Sequence, residues 1–260
     1  MRFTTLLCLL LTGYSSVFAQ DTSPKLRVLT YNIHHGEGGD GKLDLERIAA
    51  VIKTAEPDLA ALQEVDQSTT RSKGVDQAAR LSELTGMTVH FGKAMDYSGG
   101  GYGLAVLSRW PLHEMKTHPL PAGPGVEPRI VLEAMVQVPG QSNPLRFLVT
   151  HVDHKGDPKD RTAQVQKILE LFPVGGSSEP AILAGDFNAT PKSKVVKSLL
   201  ASWTDTAPDA EFLTSPAATP RNRIDYIFIR PQERWKVIET RPLDEPTASD
   251  HRPVLSILEL

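Results

Sequence analysis

Polar residues able to bind a metal or move a proton recur where apolar runs end. Asn32 closes one run (KLRVLTYNI) and Glu64 closes a second (DLAALQE). His151 and Asp153 follow the run from Leu145, and Asp186 with Asn188 follows the run from Ala181. Asp225 sits inside RIDYIFI, and Asp250-His251 stand just before the last apolar run. Taken singly, each is an ordinary turn residue after a strand. Taken together, they bring carboxylate, amide and imidazole groups to one rim, because ligand sites in α/β sheets form outside the carboxyl ends of strands. Carboxylates and an amide carbonyl are hard oxygen donors, suited to Mg²⁺ or Mn²⁺ and poor for a structural zinc. Two histidines with nearby carboxylates have what a general base needs. This donor set fits metal-assisted hydrolysis of a phosphoester.

Other chemistries lack their residues. A serine hydrolase needs a G-x-S-x-G elbow, and neither Gly101-Tyr102-Gly103 nor Gly175-Gly176-Ser177 supplies one. No P-loop, dinucleotide fingerprint or HExxH is present. For a zinc hydrolase the histidines read as too few and too dispersed.

The elements that must position these groups interleave β and α. Strands are predicted over 25–33, 58–64, 88–92, 103–109, 130–138, 145–152, 181–185, 223–229, 235–240 and 254–260. Helices are predicted over 44–54 with Asp44 as cap, 76–85 with Gly86 as stop, 158–171 and 192–202. Strands apolar on both faces, several of them consecutive, predict two mixed sheets packed face to face with helices outside, a four-layered α/β sandwich. Trp110, Trp203 and Trp235 read as packing residues.

Seven motifs together resemble the endonuclease/exonuclease/phosphatase superfamily. They are TYNI (30–33), LQE (62–64), YGLAVLSR (102–109), THVD (150–153), GDFN (185–188), IDYIF (224–228) and SDH (249–251). The resemblance implies a metal-dependent hydrolase of a phosphomonoester or phosphodiester with Mg²⁺ or Mn²⁺ as cofactor. Glu64 would be the principal metal ligand, helped by Asn32 and Asp250. Asp186 and Asn188 would orient water and hold phosphoryl oxygens, with Asp186 close to the metal. His251 would be the general base, held by Asp225, and His151 would donate to a phosphoryl oxygen or the leaving group. Asp96 is the acid implied to hold His151, and Tyr102 is a further candidate site residue. Arg129 either matches a strand-edge arginine of the family or is a solvated charge beside Pro128. Leu104 stands where the family often has Asn, so that amide contact is lost. His34, His35 and His154 read as exposed loop histidines, with His35 or His154 available at the pocket mouth.

The first nineteen residues have Arg2 as their only charge, an apolar run from Leu6 to Leu11, and Val17-Phe18-Ala19 before a cleavage point. They predict a cleaved signal peptide, too short an apolar run for a membrane span, and one domain over 20–260 that is secreted or periplasmic. The single cysteine, Cys8, leaves with that segment, and losing Arg2 takes the net charge from −3 to −4. That balance disfavours a general nucleic-acid binder, although Arg71, Lys73, Lys155, Lys159, Arg161, Arg221 and Arg223 could line the rim. No aromatic-rich membrane hairpin is present. The expectation is a monomer acting on a small or lipid-derived phosphoester, with a secreted nuclease as the alternative and a non-catalytic binding module on the same scaffold as the minor one.

Overall fold

Leu26 and Val28 in the first strand point to one side and Leu29 and Tyr31 to the other, and all four are buried. A strand whose two faces are both apolar has to be covered on both. A computed structural model describes residues 25–175 and 179–260 and shows what covers it; the predicted signal peptide lies outside the described residues. Leu26 and Val28 join a core between two sheets, and Leu29 and Tyr31 join a core beneath helices.

The first sheet contains β1 (Lys25–Asn32), β2 (Leu59–Gln67), β3 (Thr88–Tyr97), β4 (Gly100–Ser108), β11 (Lys236–Pro242) and β12 (Val254–Glu259), in the order β11-β12-β1-β2-β4-β3. The second contains β5 (Leu112–Pro119), β6 (Ile130–Val136), β7 (Leu145–His151), β8 (Ala181–Asp186), β9 (Thr204–Asp205) and β10 (Asp225–Arg230), in the order β5-β6-β7-β8-β10-β9. Raising each number of the second order by six, and counting on past β12 to β1, reproduces the first. The molecule is therefore two topologically equivalent halves, each lending its last two strands to the other half's sheet. One parallel pair stands near the middle of each sheet, β1 with β2 and β7 with β8, and the remaining pairs are antiparallel.

Helices α1 (Leu45–Ala55) and α2 (Gln77–Thr85) cover the first sheet; α3 (Lys159–Leu171) and α4 (Lys194–Leu199) cover the second. Their starts are set locally, since Asp44 and Asp76 accept from Arg47 N–H and Ala79 N–H at 2.8 and 3.0 Å. The expected four-layered sandwich is the fold. The differences from the sequence reading fall at edges. Helix α4 is shorter than 192–202, and β5 is unpredicted because LHEMKTHP is an edge strand exposed along most of its length, with no buried alternation to read. Among the described residues no helix is long and apolar enough to cross a membrane.

Candidate active site

Crossover helices α1 and α3 require β1, β2, β7 and β8 to run parallel within their pairs, so the carboxyl ends of all four meet at one end of the sandwich. There they surround a cleft of about 360 Å³ lined by Glu64, His151, Asp186, Asn188, Asp250 and His251 among others. Gly185 lets β8 approach β7 closely enough to place Asp186, because a Cβ there would lie 2.0 Å from the Thr150 carbonyl oxygen. Glu64 reaches the cleft through an irregularity. The β2–β4 register shifts between Leu62 and Val65, and Glu64 takes a left-handed φ of 58°. A bulge of this kind re-aims a side chain that regular alternation would send elsewhere. His34 (φ 46°) and Asn188 (φ 45°) also line the cleft in left-handed conformations, and backbone strain concentrates at functional sites.

Asn32 ties the two halves together. Its Nδ2 donates to Glu64 Oε1 at 3.0 Å and to Asp186 Oδ2 at 3.2 Å, while its Oδ1 accepts from His34 N–H at 3.0 Å. Asp186 Oδ1 accepts from Asn188 N–H at 2.8 Å. Burial and the neighbouring Asp225 carboxylate push the Asp186 carboxyl up to about 7. Among the described residues no lysine or arginine pairs with Glu64, Asp186 or Asp250. Three carboxylates lining one cleft, none of them paired with a lysine or arginine, form a donor set that fits a hard divalent cation.

The His251 ring is buried and its Nδ1 lies 3.0 and 3.2 Å from the two oxygens of Asp225. Asp225 accepts the Nδ1 proton and leaves Nε2 to face the cleft, 3.8 Å from Asp186 Oδ2. Burial opposes charging this ring, yet Asp225, Asp186 and Asp250 outweigh it and push its pKa up to about 10.

His151 is held differently from the sequence expectation. Arg129, buried and only 3% exposed, directs Nη1 at His151 Nδ1 over 2.8 Å and Nη2 at His154 Nδ1 over 3.3 Å. A guanidinium can only donate, so His151 Nδ1 accepts and the ring's proton sits on Nε2, 3.5 Å from Asp186 Oδ2, while the Asn188 amide donates to the Val152 carbonyl at 3.2 Å. Burial and then the Arg129 charge hold the His151 pKa well below its ordinary value. His151 is thus a neutral hydrogen-bond donor and brings no positive charge. Asp96 does not hold it. Its side chain is 88% exposed and pairs with Lys93 Nζ at 2.7 Å, because the outer end of β3 turns toward solvent. Asp96→Asn is expected to leave turnover unchanged, whereas Arg129→Gln should lower it and raise the pH at which His151 protonates. Steady-state kinetics and histidine NMR titration of both variants check this; a large loss in Asp96→Asn would reverse the assignment.

Tyr102 is buried and lines the cleft beside Tyr97, their ring centroids 6.0 Å apart. Arg71 lies over both rings and pairs with Asp66 through Nε at 2.8 Å. Tyr97, Met95 and Glu127 also line the cleft and were not anticipated. Glu127 had a signal, its place two residues before Arg129; Tyr97 and Met95 had none. His35 is buried where an exposed loop histidine was expected, while His154 is exposed at the cleft. The basic rim is thinner than expected. Arg223 is buried in an ion pair with Asp205, with Nη2 to Oδ1 at 2.6 Å, and Arg161 donates to the carbonyls of Asp153, Lys155 and Asn188. Leu104, at the missing-Asn position, packs in the core between the sheets.

Two sheets whose parallel strands converge on carboxylates, an amide and two unlike histidines define a hydrolytic site fitted to a divalent cation. The sequence profile of the Endonuclease/Exonuclease/phosphatase family matches residues 29–251. The chain belongs to this family and is a hydrolase acting on phosphoester bonds. Its family is divalent-metal dependent. Among solved structures, an endonuclease/exonuclease/phosphatase from Beutenbergia cavernae is 28% identical with a TM-score of 0.75, over 91% of this chain and 72% of that one. A mannosyl-6-phosphatase of Bacteroides thetaiotaomicron is 22% identical with a TM-score of 0.75, over 90% and 100% of the two chains. The human nocturnin catalytic domain, with bound sulfate, is 21% identical with a TM-score of 0.71, over 91% and 93%. The last two likenesses show the fold alone. A comparison with curated proteins finds no sequence match.

Proposed function

We propose that this chain is an exported, divalent-cation-dependent phosphoesterase that hydrolyses a small or lipid-derived phosphomonoester or phosphodiester. The observation that carries the reading is the convergence of the Asp225–His251 pair, neutral His151 and the carboxylates of Glu64, Asp186 and Asp250 on one cleft. Glu64, with Asn32 and Asp250, would hold the cation, and Asp186 would stand beside it. A bound Mg²⁺ or Mn²⁺ supplies neutralisation of the charge on the phosphoryl oxygens. His251 Nε2 takes the proton of the attacking water, and Asp225 favours the imidazolium so formed. His151 Nε2–H and the Asn188 amide donate to non-bridging oxygens as charge builds on them.

The small cleft and the loss of Arg223 and Arg161 to internal partners favour a small phosphoester over a long nucleic acid, whose binding depends on many phosphate contacts. The test is a cation-supplemented assay across p-nitrophenyl phosphate, bis-p-nitrophenyl phosphate, sphingomyelin, RNA and plasmid DNA, each at low and high salt. Preferential cleavage of nucleic acid with a steep loss at high salt would favour the nuclease reading. No cleavage of any of them with Mg²⁺ or Mn²⁺ present would favour the binding module. Export is checked by sequencing the N-terminus of the mature protein, with cleavage expected after Ala19, and the monomer by light scattering.

Asn188→Ala should lower kcat by roughly 10²-fold, more than it raises KM, because a contact to a phosphoryl oxygen strengthens as charge develops. Initial-rate kinetics across substrate concentration checks this. A change confined to KM would make the contact one of ground-state binding.

A further inference from the structure

One guanidinium holds two imidazoles at the cleft. Arg129 Nη1 reaches His151 Nδ1 over 2.8 Å, and Nη2 reaches His154 Nδ1 over 3.3 Å. A planar fork of donors fixes the direction of both partners at once. A guanidinium has no acceptor, so each Nδ1 accepts and each ring, when neutral, carries its proton on Nε2. His151 turns that N–H toward Asp186. His154 has no such neighbour. Its Nδ1 edge is pinned against buried Arg129, the rest of the ring is exposed and lines the cleft, and among the described residues no protein group meets its Nε2.

An exposed loop histidine is ordinarily free to turn. This one is also held through its backbone. Arg161 donates to the carbonyls on either side of it, Asp153 at 3.2 Å and Lys155 at 3.0 Å, and to the Asn188 carbonyl at 2.6 Å. Asp153 N–H donates to the buried Gln164 Oε1 at 2.7 Å, and Asp153 Oδ2 accepts from Lys155 N–H at 3.0 Å. A donor fixed in side chain and backbone, with no acceptor in the protein, is pre-organised for an oxygen of the substrate.

The contacts order the cleft outward from the base. His251 Nε2 lies 3.8 Å from Asp186 Oδ2, the same oxygen lies 3.5 Å from His151 Nε2, and Arg129 links His151 to His154. In an in-line displacement the leaving oxygen departs opposite the attacking water, so the end of this series farthest from His251 is the leaving-group end. We propose that His154 Nε2–H donates to the leaving-group oxygen of the substrate and so determines which esters the cleft releases. The proposal rests on the reading of the chain as a phosphoesterase with His251 as base, and deepens it. The water oxygen bonds to phosphorus as His251 takes its proton. The bond from phosphorus to the leaving oxygen breaks, and its electron pair stays on that oxygen. His154 keeps its own proton and stabilises the charge, and the released oxyanion takes a proton from solvent. The gain is large for an alkoxide and small for p-nitrophenolate, which delocalises its own charge.

The test compares wild type, His154→Ala and His154→Gln on ethyl, phenyl and p-nitrophenyl phosphate and on their methyl diesters, with Mg²⁺ or Mn²⁺ present. His154→Ala is expected to lower kcat/KM by roughly 10²-fold on the ethyl esters, the scale of one lost donor to a developing charge, and by less than about threefold on the p-nitrophenyl esters. His154→Gln keeps an N–H donor and should recover part of the loss on the ethyl esters alone. Nitrogen-15 NMR of histidine-labelled wild type should show the neutral His154 ring protonated on Nε2, a readout independent of turnover. An equal effect of His154→Ala on every ester, no effect on any, or a proton on Nδ1 would overturn the leaving-group assignment and leave the phosphoesterase reading in place. No hydrolysis of any of these esters by wild type would overturn both.

Discussion

Asp225→Asn and His251→Ala are each expected to lower turnover by roughly 10²–10⁴-fold, the usual contribution of a general base. The Asn variant keeps the size of the side chain and removes the charge that accepts the His251 Nδ1 proton at 3.0 Å. Burial lowers the His251 pKa, and Asp225 is the largest influence raising it. The base has to be neutral to act, so a raised pKa places the acidic limb of the wild-type pH–rate profile above the ordinary 6.5. Loss of the Asp225 charge should move that limb to lower pH. A bound cation would draw it down in wild type as well, so profiles are compared at one cation concentration. The same group sets a stability trend in the cation-free protein. Its folded-state pKa is raised, so its stabilising contribution is full below about 6.5 and is lost as pH rises toward about 10. The melting temperature in EDTA should therefore fall over that window in wild type and stay flatter in His251→Gln. Near-wild-type turnover with an unchanged acidic limb in His251→Ala would remove His251 as the base and leave Asp186, pushed up to about 7, as the better candidate.

Glu64→Gln should lower turnover at saturating cation by roughly 10²-fold or more, on the scale of losing one group that stabilises charge in the transition state. Its expected signature does not depend on activity. A ligand at 100 times its Kd stabilises the folded state by about 2.7 kcal/mol, and that gain should appear in wild type on cation addition and vanish in the variant. In EDTA the variant should be no less stable than wild type. Gln keeps an oxygen to accept from Asn32 Nδ2, and removing one of the crowded carboxylates relieves their repulsion. Thermal unfolding with and without cation reads both effects. A full cation-induced shift in Glu64→Gln would remove Glu64 from the ligand set.

Much of this molecule was fixed by local sequence. Apolar runs with buried residues on both faces made strands that need two covering layers, Asp44 and Asp76 set helix starts through their own side chains, and the ordered motifs from TYNI to SDH carried both the fold class and most of the cleft residues. These features depend on neighbours within a few residues, which is why the chain alone displays them. What only the tertiary structure decided depends on residues far apart. Glu64 faces the cleft because a register shift against β4 reverses its alternation, and a bulge is a property of two strands rather than one. His151 is held by Arg129, from a different strand's approach, while Asp96 ends at the solvent edge of β3; burial and then the Arg129 charge keep the ring neutral. Arg223 pairs internally with Asp205, eighteen residues away, and leaves the rim. The exchange of β5-β6 and β11-β12 between halves comes from closing two sheets over one core, and no run of residues encodes that closure by itself.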